Sequence, residues 1–426
     1  MSRGGKTDLV LSAAISVLAL SAVFGSVTAR PVPSTSTARV ADAERLAAST
    51  ADSADVLARL SGQPPSAAAP TAAATPAALD PVAELAQRRN RAGQSEVRSV
   101  TIAVTGDILL HEPVMAAAAT PSGGYDFRPM LAPIATEISA ADIALCHLEV
   151  PLSRDGSGLS GYPTFNAPPE IADAIAATGY HGCSTASNHS LDQRPAGIAA
   201  TLDALDSAGL GHAGTARSLD EDAAPRLYRA GGLVIGHVSA TYGLNGFVMP
   251  DDQPWLVDLI DPVSGVLAEA AATRAAGADI VVVSVHWGEE YQTEPSPYQR
   301  AVADQLLASP DVDLLVGHHA HVVQPVERVG DKAVIFGLGN LLSGQLGRHT
   351  AGTQDGVIVT VTLADSPNTT PRVPGIRYMP TWVEPGTYRV LPIPETVADP
   401  ALPADRRRAL EASAARTAAA IGPVGR

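Results

Sequence analysis

With 426 residues and a net charge of -15, the chain is long enough for one large domain or two ordinary ones and too acidic for a nucleic-acid binder, which needs a basic face. Lysine occurs only at Lys6 and Lys332 and aromatics make up 4% of residues, so the core must be built from Val, Ile, Leu and Ala. Two cysteines, Cys146 and Cys183, exclude a disulfide framework; they read as two buried thiols in preference to a single bridge, which an oxidising compartment would allow.

Arg3 and Lys6 precede an apolar run, LVLSAAISVLALSAVFGSV, at residues 9–27, and Val27-Thr28-Ala29 offers small residues at the spacing a signal peptidase accepts. The run is also long enough to span a bilayer, so residues 1–29 are expected to be a cleaved signal peptide or an uncleaved anchor with its positive end inside. Both put the rest of the chain outside the cytoplasm, secreted or anchored to the cytoplasmic membrane. Residues 30–98 are rich in Pro, Ala, Ser and Thr, as in QPPSAAAPTAAATPAALDP. Such a stretch buries too little apolar surface to offset its ordering entropy and is expected to be a flexible spacer.

From residue 99 to about 395, Val/Ile-rich runs alternate with alanine-rich helical patterns, which predicts an α/β domain. Strands are predicted at 99–105, 142–145, 182–185, 233–241, 278–285, 312–316, 333–336 and 357–363. Helices are predicted at 113–119, 129–139, 169–178, 195–209, 263–276 and 297–308, several opened by a first-turn proline. Little helix separates 322–336 from 357–363, so some antiparallel pairing is expected. Residues 396–426 read as a tail with a polar helix over 405–420.

The chemistry gathers at the strand ends. The first strand ends in Gly106-Asp107, with His111 shortly after, and the second in Cys146-His147-Leu148-Glu149. The third leads to Ser187-Asn188-His189, with Asp192 beyond, and another to His286-Trp287-Gly288-Glu289-Glu290-Tyr291. The run VDLLV ends in Gly317-His318-His319-Ala320-His321. In an open α/β sheet, ligands bind outside the carboxyl ends of the strands, so these side chains can converge. Singly each is an ordinary turn; jointly they predict a metal site.

There are too many candidates for one tetrahedral zinc. Asp107, His111, Glu149, Asn188, His286, His319 and His321 would fill two neighbouring sites for divalent Mn, Fe or Zn, with a carboxylate between them. Such a centre would draw an anionic substrate and suits displacement at phosphorus. His189 is the candidate acid for the leaving group. Trp287 and Tyr291 read either as stacking partners for a ligand or as packing at the pocket wall.

The motifs also resemble a known family. GDILLHEPV at 106–114, ADIALCHLEVPLS at 141–153, SNHSLDQ at 187–193, TYGLNG at 241–246, VSVHWGEEY at 283–291, GHHAHVVQPVE at 317–327 and FGLGNLLSGQ at 336–345 are similar to the CapA-type poly-γ-glutamate capsule biosynthesis proteins, within the calcineurin-like metallophosphoesterase superfamily. The resemblance implies a two-sheet sandwich flanked by helices, a four-layer αββα fold, with a dinuclear metal site at one edge. It implies Asp107, Glu149, Asn188, His286, His319 and His321 as metal-site equivalents, and His189 with Asp192 as the acid pair. His147, His318, Glu290 and Asn340 are then expected around the ligands. The chain departs from the family at His147, where Asn is usual, at Arg194, where Gly is common, and at Glu149, where typical phosphoesterases have Asp. Two functions are expected from this. One is an exported metal-dependent hydrolase acting on an anionic polymer or a phosphate-containing substrate of the envelope. The alternative is a non-catalytic part of a membrane complex that makes or exports poly-γ-glutamate.

Overall fold

The computed structural model describes residues 97–365 and 371–423; the expected export segment and nearly all of the expected spacer lie outside the described residues. The strands β1 (Arg98–Leu109), β2 (Ile143–Leu148), β3 (Gly182–Ser184) and β4 (Gly211–Ala213) run parallel. A second sheet is built from β5 (Arg226–Ala230), β6 (Leu233–Thr241), β7 (Ile280–His286), β8 (Leu314–His318), β9 (Val326–Val329) and β10 (Lys332–Ile335), in the order β5-β6-β7-β8-β10-β9. The chain then returns to the first sheet. There β11 (Asn340–Ser343) pairs with the end of β1, and β12 (Asp355–Asp365), β13 (Arg372–Val383) and β14 (Val390–Pro392) extend it antiparallel beyond β1.

Alternation along each strand assigns the layers. Val100, Ile102 and Val104 of β1 meet Ile280 and Val282 of β7 and Leu314 and Val316 of β8 in a core between the sheets. The intervening residues face helices. On the first sheet, Ala103, Ala144 and Leu148 pack against α1 (Glu170–Thr178) and α2 (Arg194–Ser207). On the second, Val281, Val283 and Leu315 pack against α3 (Val263–Ala275) and α4 (Pro297–Ala308). Helix, sheet, sheet and helix give the four-layer α/β sandwich that the sequence leads one to expect. Strands apolar on both faces need such covering, at roughly 1.5–3 kcal/mol per fully buried aliphatic side chain. The final helix, α5 (Ala404–Ile421), buries Leu410, Ser413, Thr417 and Ile421. Its Ser413 hydroxyl donates to Asp355, which also takes two bonds from Arg416.

Three expectations are corrected. The helix predicted at 129–139 is broken into Arg128–Leu131 and Ala135–Ser139 by a 3₁₀ turn at Ala132–Ile134, where Pro133 withholds a backbone donor. The long strand β13 was not predicted, because Pro374, Gly375 and Pro380 interrupt its pattern. Cys146 and Cys183 are not thiols: they face each other in register on β2 and β3, with Cα atoms 4.4 Å apart, and form a disulfide. That register is a tertiary property which spacing alone does not reveal. With its ends separated by 37 positions in the sequence, reduction of this bridge is expected to lower stability by roughly 3–4 kcal/mol on the loop-entropy account. Urea midpoints with and without reductant check this, and free thiols in the unreduced native protein would contradict it.

A half-buried acidic group lies apart from the candidate metal ligands. Burial first, and then the charge of Asp222, push Asp258 up to about 7, and burial also raises Asp222 and Glu269. The same cavity is lined by His212, Glu221, Arg226 and His237. A carboxyl that is raised on folding binds more protons in the native state between about pH 4 and 7. Its stabilising contribution is therefore full below that window and is lost as pH rises through it. The melting temperature of the wild type should fall from pH 5 to pH 8 more steeply than that of Asp258→Asn. Parallel curves would show that Asp258 is not the titrating group.

Candidate metal centre

The strand registers assemble the site. At the carboxyl end of the first sheet, Asp107 stands beside His147 of β2 on one side and Asn340 of β11 on the other, and His147 stands beside Ser184 of β3. In the second sheet Thr241, His286 and His318 are neighbours across β6, β7 and β8. The two sheet ends meet at Asp107. Gly106 lets this happen: a Cβ there would strike the Gly339 backbone, whose carbonyl accepts the Asp107 amide at 3.0 Å.

Beyond β8 the chain turns through left-handed backbone at His319 and His321, with φ of +88° and +55°. This turn brings three groups onto the Asp107 carboxylate. His318 Nδ1 lies 3.2 Å from Oδ1, His321 Nδ1 lies 3.1 Å from Oδ2, and the His319 amide donates to Oδ2 at 3.3 Å. His147 stacks on His318 with centroids 4.1 Å apart. Its Nδ1 is 2.8 Å from the Ser184 hydroxyl, and its Nε2 is 2.9 Å from His286 Nδ1. His286 Nε2 in turn reaches Asn188 Oδ1 at 3.0 Å.

Three groups of three among the described residues have ligating atoms within 4.8 Å of one another; two of them stand here, Asp107, His147 and His318, and Glu149, His319 and His321, while Asp206, His212 and Glu221 lie elsewhere. All six side chains of the two groups here are buried. Asp107 touches both groups through its two oxygens, so it can lie between two cations. His286 and Asn188 border the second group, with His286 Nε2 3.9 Å from Glu149. His111 lies outside both groups; its Nδ1 is 3.1 Å from the Leu109 carbonyl and its ring meets Phe165 edge-on at 5.4 Å. Asn340 donates to Gln345 and to the Thr353 carbonyl. Glu290 is exposed. Trp287 is fully buried with its indole N–H on the Phe336 carbonyl, so it is a core residue, whereas Tyr291 stacks on His349 at 4.4 Å.

Several buried atoms have no hydrogen-bond partner: both Glu149 oxygens, His318 Nε2, His319 Nδ1 and Asn340 Oδ1. A buried polar group left unpaired costs roughly 1–3 kcal/mol, and a carboxylate more, so this set fits bound cations well. The charges agree with that fit. Burial holds the Glu149 carboxyl well above the ordinary range. Burial also lowers His147 and His286 and brings His319 to about 3, which leaves neutral imidazoles able to ligate. Asp107 stays well below the ordinary range because the bonds from His318 and His321 outweigh its burial. Against its own burial, His321 is raised to about 9 by Glu149 and Asp107, so without a cation it holds a proton where a cation would sit.

Beside the centre, His189 Nδ1 lies 2.7 Å from Asp192 Oδ2, which also accepts the Phe165 amide at 2.7 Å. Asn188 donates to Asn245 at 3.2 Å, and Tyr242, 39% exposed, leans over His319 with centroids 4.7 Å apart. The roles of Tyr242 and Asn245 were missed in the sequence, although both lie in the TYGLNG motif that ends a strand. Seven non-glycine residues among those described have positive φ: Arg194, Asn245, Tyr291, His319, His321, Leu346 and Tyr388. Arg194 opens α2 beside this centre, and the others except Tyr388 sit in loops around it. Left-handed backbone costs about 1–2 kcal/mol per residue, and strain of this kind collects at functional sites.

Residues 101–345, which contain every one of these candidates, match the family described as bacterial capsule synthesis protein PGA_cap. The chain belongs to that family. Within it, this PGA_cap chain is 29% identical to the capsule biosynthesis protein CapA of Bacillus anthracis over 47% of its own length and 48% of that protein. It is 31% identical to the PGA biosynthesis protein CapA of Bacillus subtilis over 38% of its length and 42% of that one. It thus spans about half the length of these curated relatives. It is also similar to the solved structure of a calcineurin-like phosphoesterase of Bacillus subtilis, at 13% identity, with 75% of this chain and 100% of that chain covered and a TM-score of 0.39.

Proposed function

We propose that this PGA_cap chain is an exported metal-dependent hydrolase of the phosphoesterase type, acting on an anionic polymer or a phosphate-containing substrate of the cell envelope. The observation that carries this reading is the pair of buried donor groups sharing Asp107, with the His189–Asp192 pair beside them. Asp107, His147 and His318 would hold one divalent ion, and Glu149, His319 and His321 the other, both Mn, Fe or Zn. When bound, the ions supply Lewis acidity at the scissile group.

The chain's own residues do the rest. Burial of Asp107 and Glu149 keeps water from screening the charges. The Ser184–His147–His286–Asn188 chain of contacts fixes the ring planes before any ion is bound. His189 holds a proton on Nδ1 against Asp192 and can pass one from Nε2 to the departing oxygen. The Cys146–Cys183 bridge supports the exported reading, because disulfides persist in oxidising compartments.

The test is metal analysis of the purified protein, then hydrolysis of bis(p-nitrophenyl) phosphate and p-nitrophenyl phosphate with added Mn, Fe or Zn. Metal-dependent turnover is the expected result. Bound metal without turnover of either ester, or of a γ-linked glutamate polymer, would favour the non-catalytic role in polymer synthesis or export.

A further inference from the structure

Acidic residues outnumber basic ones by 44 to 29, and many of the described arginines are held in ion pairs, as at Arg98, Arg217, Arg274 and Arg416. Two exposed arginines beside the metal centre differ. Among the described residues neither Arg194 nor Arg348 has a carboxylate partner; Arg194 opens α2 and Arg348 lies in the loop that follows β11.

Arg194 lies two residues beyond Asp192 and is held at φ +58°, with its guanidinium carbon 4.3 Å above the Phe247 ring. Phe247 belongs to the loop whose Asn245 accepts from Asn188. A guanidinium stacked on a ring is oriented in advance and keeps its N–H edges free for an anion. Arg348 closes a turn onto the Gln345 carbonyl at 2.8 Å. That turn is pinned by three contacts: the Gly344 amide lies 3.2 Å from His111 Nδ1, Gln345 accepts from Asn340, and His349 stacks on Tyr291. Between the two arginines lies a row of rings, since Phe165 meets His111 at 5.4 Å and His189 at 4.8 Å, each edge-on. The row separates the two cationic side chains, which favours an extended ligand with spaced charges over a compact one.

We propose that Arg194 and Arg348 form a two-point anion clamp at the rim of the centre, and that the ligand is an extended polycarboxylate chain lying across the row of rings. This rests on the reading of the centre as a site for an envelope polymer, and it adds which groups recognise the chain. Each guanidinium takes one carboxylate along the ligand.

The test is fluorescence anisotropy of a labelled γ-linked glutamate decamer on the full, metal-loaded chain. Arg194→Gly suits the left-handed backbone and removes the cation together with its stack on Phe247; Arg348→Gln removes the cation on its loop. Each variant is expected to weaken binding about tenfold with metal content unchanged. Arg408→Gln, at an exposed arginine on α5 away from the centre, should leave it unchanged. Equal binding by wild type and both clamp variants overturns the proposal, as does an equal loss in Arg408→Gln, which would mean general charge attraction. No decamer binding by the wild type, or binding of polyphosphate in its place, overturns the polycarboxylate assignment. Arginine-dependent binding by a protein that holds no metal would uphold the clamp while removing the hydrolase reading.

Discussion

Replacing Asp107 by alanine is expected to empty both halves of the metal centre and to lower hydrolysis on the order of a thousandfold or more, since residues that act as a unit fail together. Its two oxygens touch both donor sets at hydrogen-bond distance, through His318 on one side and His321 on the other. Removing them leaves two imidazole nitrogens and the His319 amide facing a buried hole, so some stability is lost as well. Asp107→Asn separates the two effects. It keeps shape and most packing but removes the charge that would offset bound cations, so its metal content should also collapse while its melting temperature changes little. Metal analysis and thermal melts of both variants check this. A folded Asp107→Asn protein with full metal content would show that the carboxylate is not a ligand.

Much of this centre was legible in the sequence, for a reason particular to parallel sheets. Strands such as β7, IVVVSVH, are mostly apolar on both faces until they leave the sheet, so the first ionisable side chain after the apolar run marks the carboxyl end where ligands gather. Asp107, His147, Glu149 and His286 are all announced in this way. The partition within the 318–321 turn was not. The expectation made His319 and His321 the ligands and His318 a supporting group. In the structure His318 lies against Asp107 and His147, while His319 and His321 gather with Glu149. Left-handed backbone at His319 and His321 rotates the two side chains away from the strand direction, and nothing in the residue types signals that. The disulfide was hidden for a related reason: it depends on β2 and β3 being neighbours in one register. Asn245 was hidden because its contacts to Asn188 and His189 bridge loops of the two sheets, which no local spacing encodes.

His189→Ala should lower turnover by about a hundredfold to ten-thousandfold for esters with poor leaving groups, with metal content unchanged. The selectivity for leaving group matters more than the size of the loss. An imidazole that hands its Nε2 proton to the departing oxygen helps most when that oxygen is strongly basic. An aryl series running from p-nitrophenol to unsubstituted phenol should therefore show a steeper dependence on leaving-group basicity in the variant than in the wild type. Asp192→Asn should move the same slope by a smaller amount. Its amide can still accept the Phe165 amide proton through oxygen, but it no longer holds the Nδ1 proton of His189 with a full charge. A merely structural role for the pair would depress every ester alike and leave the slope where it was. Equal losses across the series would thus remove His189 as the acid and leave the metal centre, which His189 does not touch, standing on its own observations.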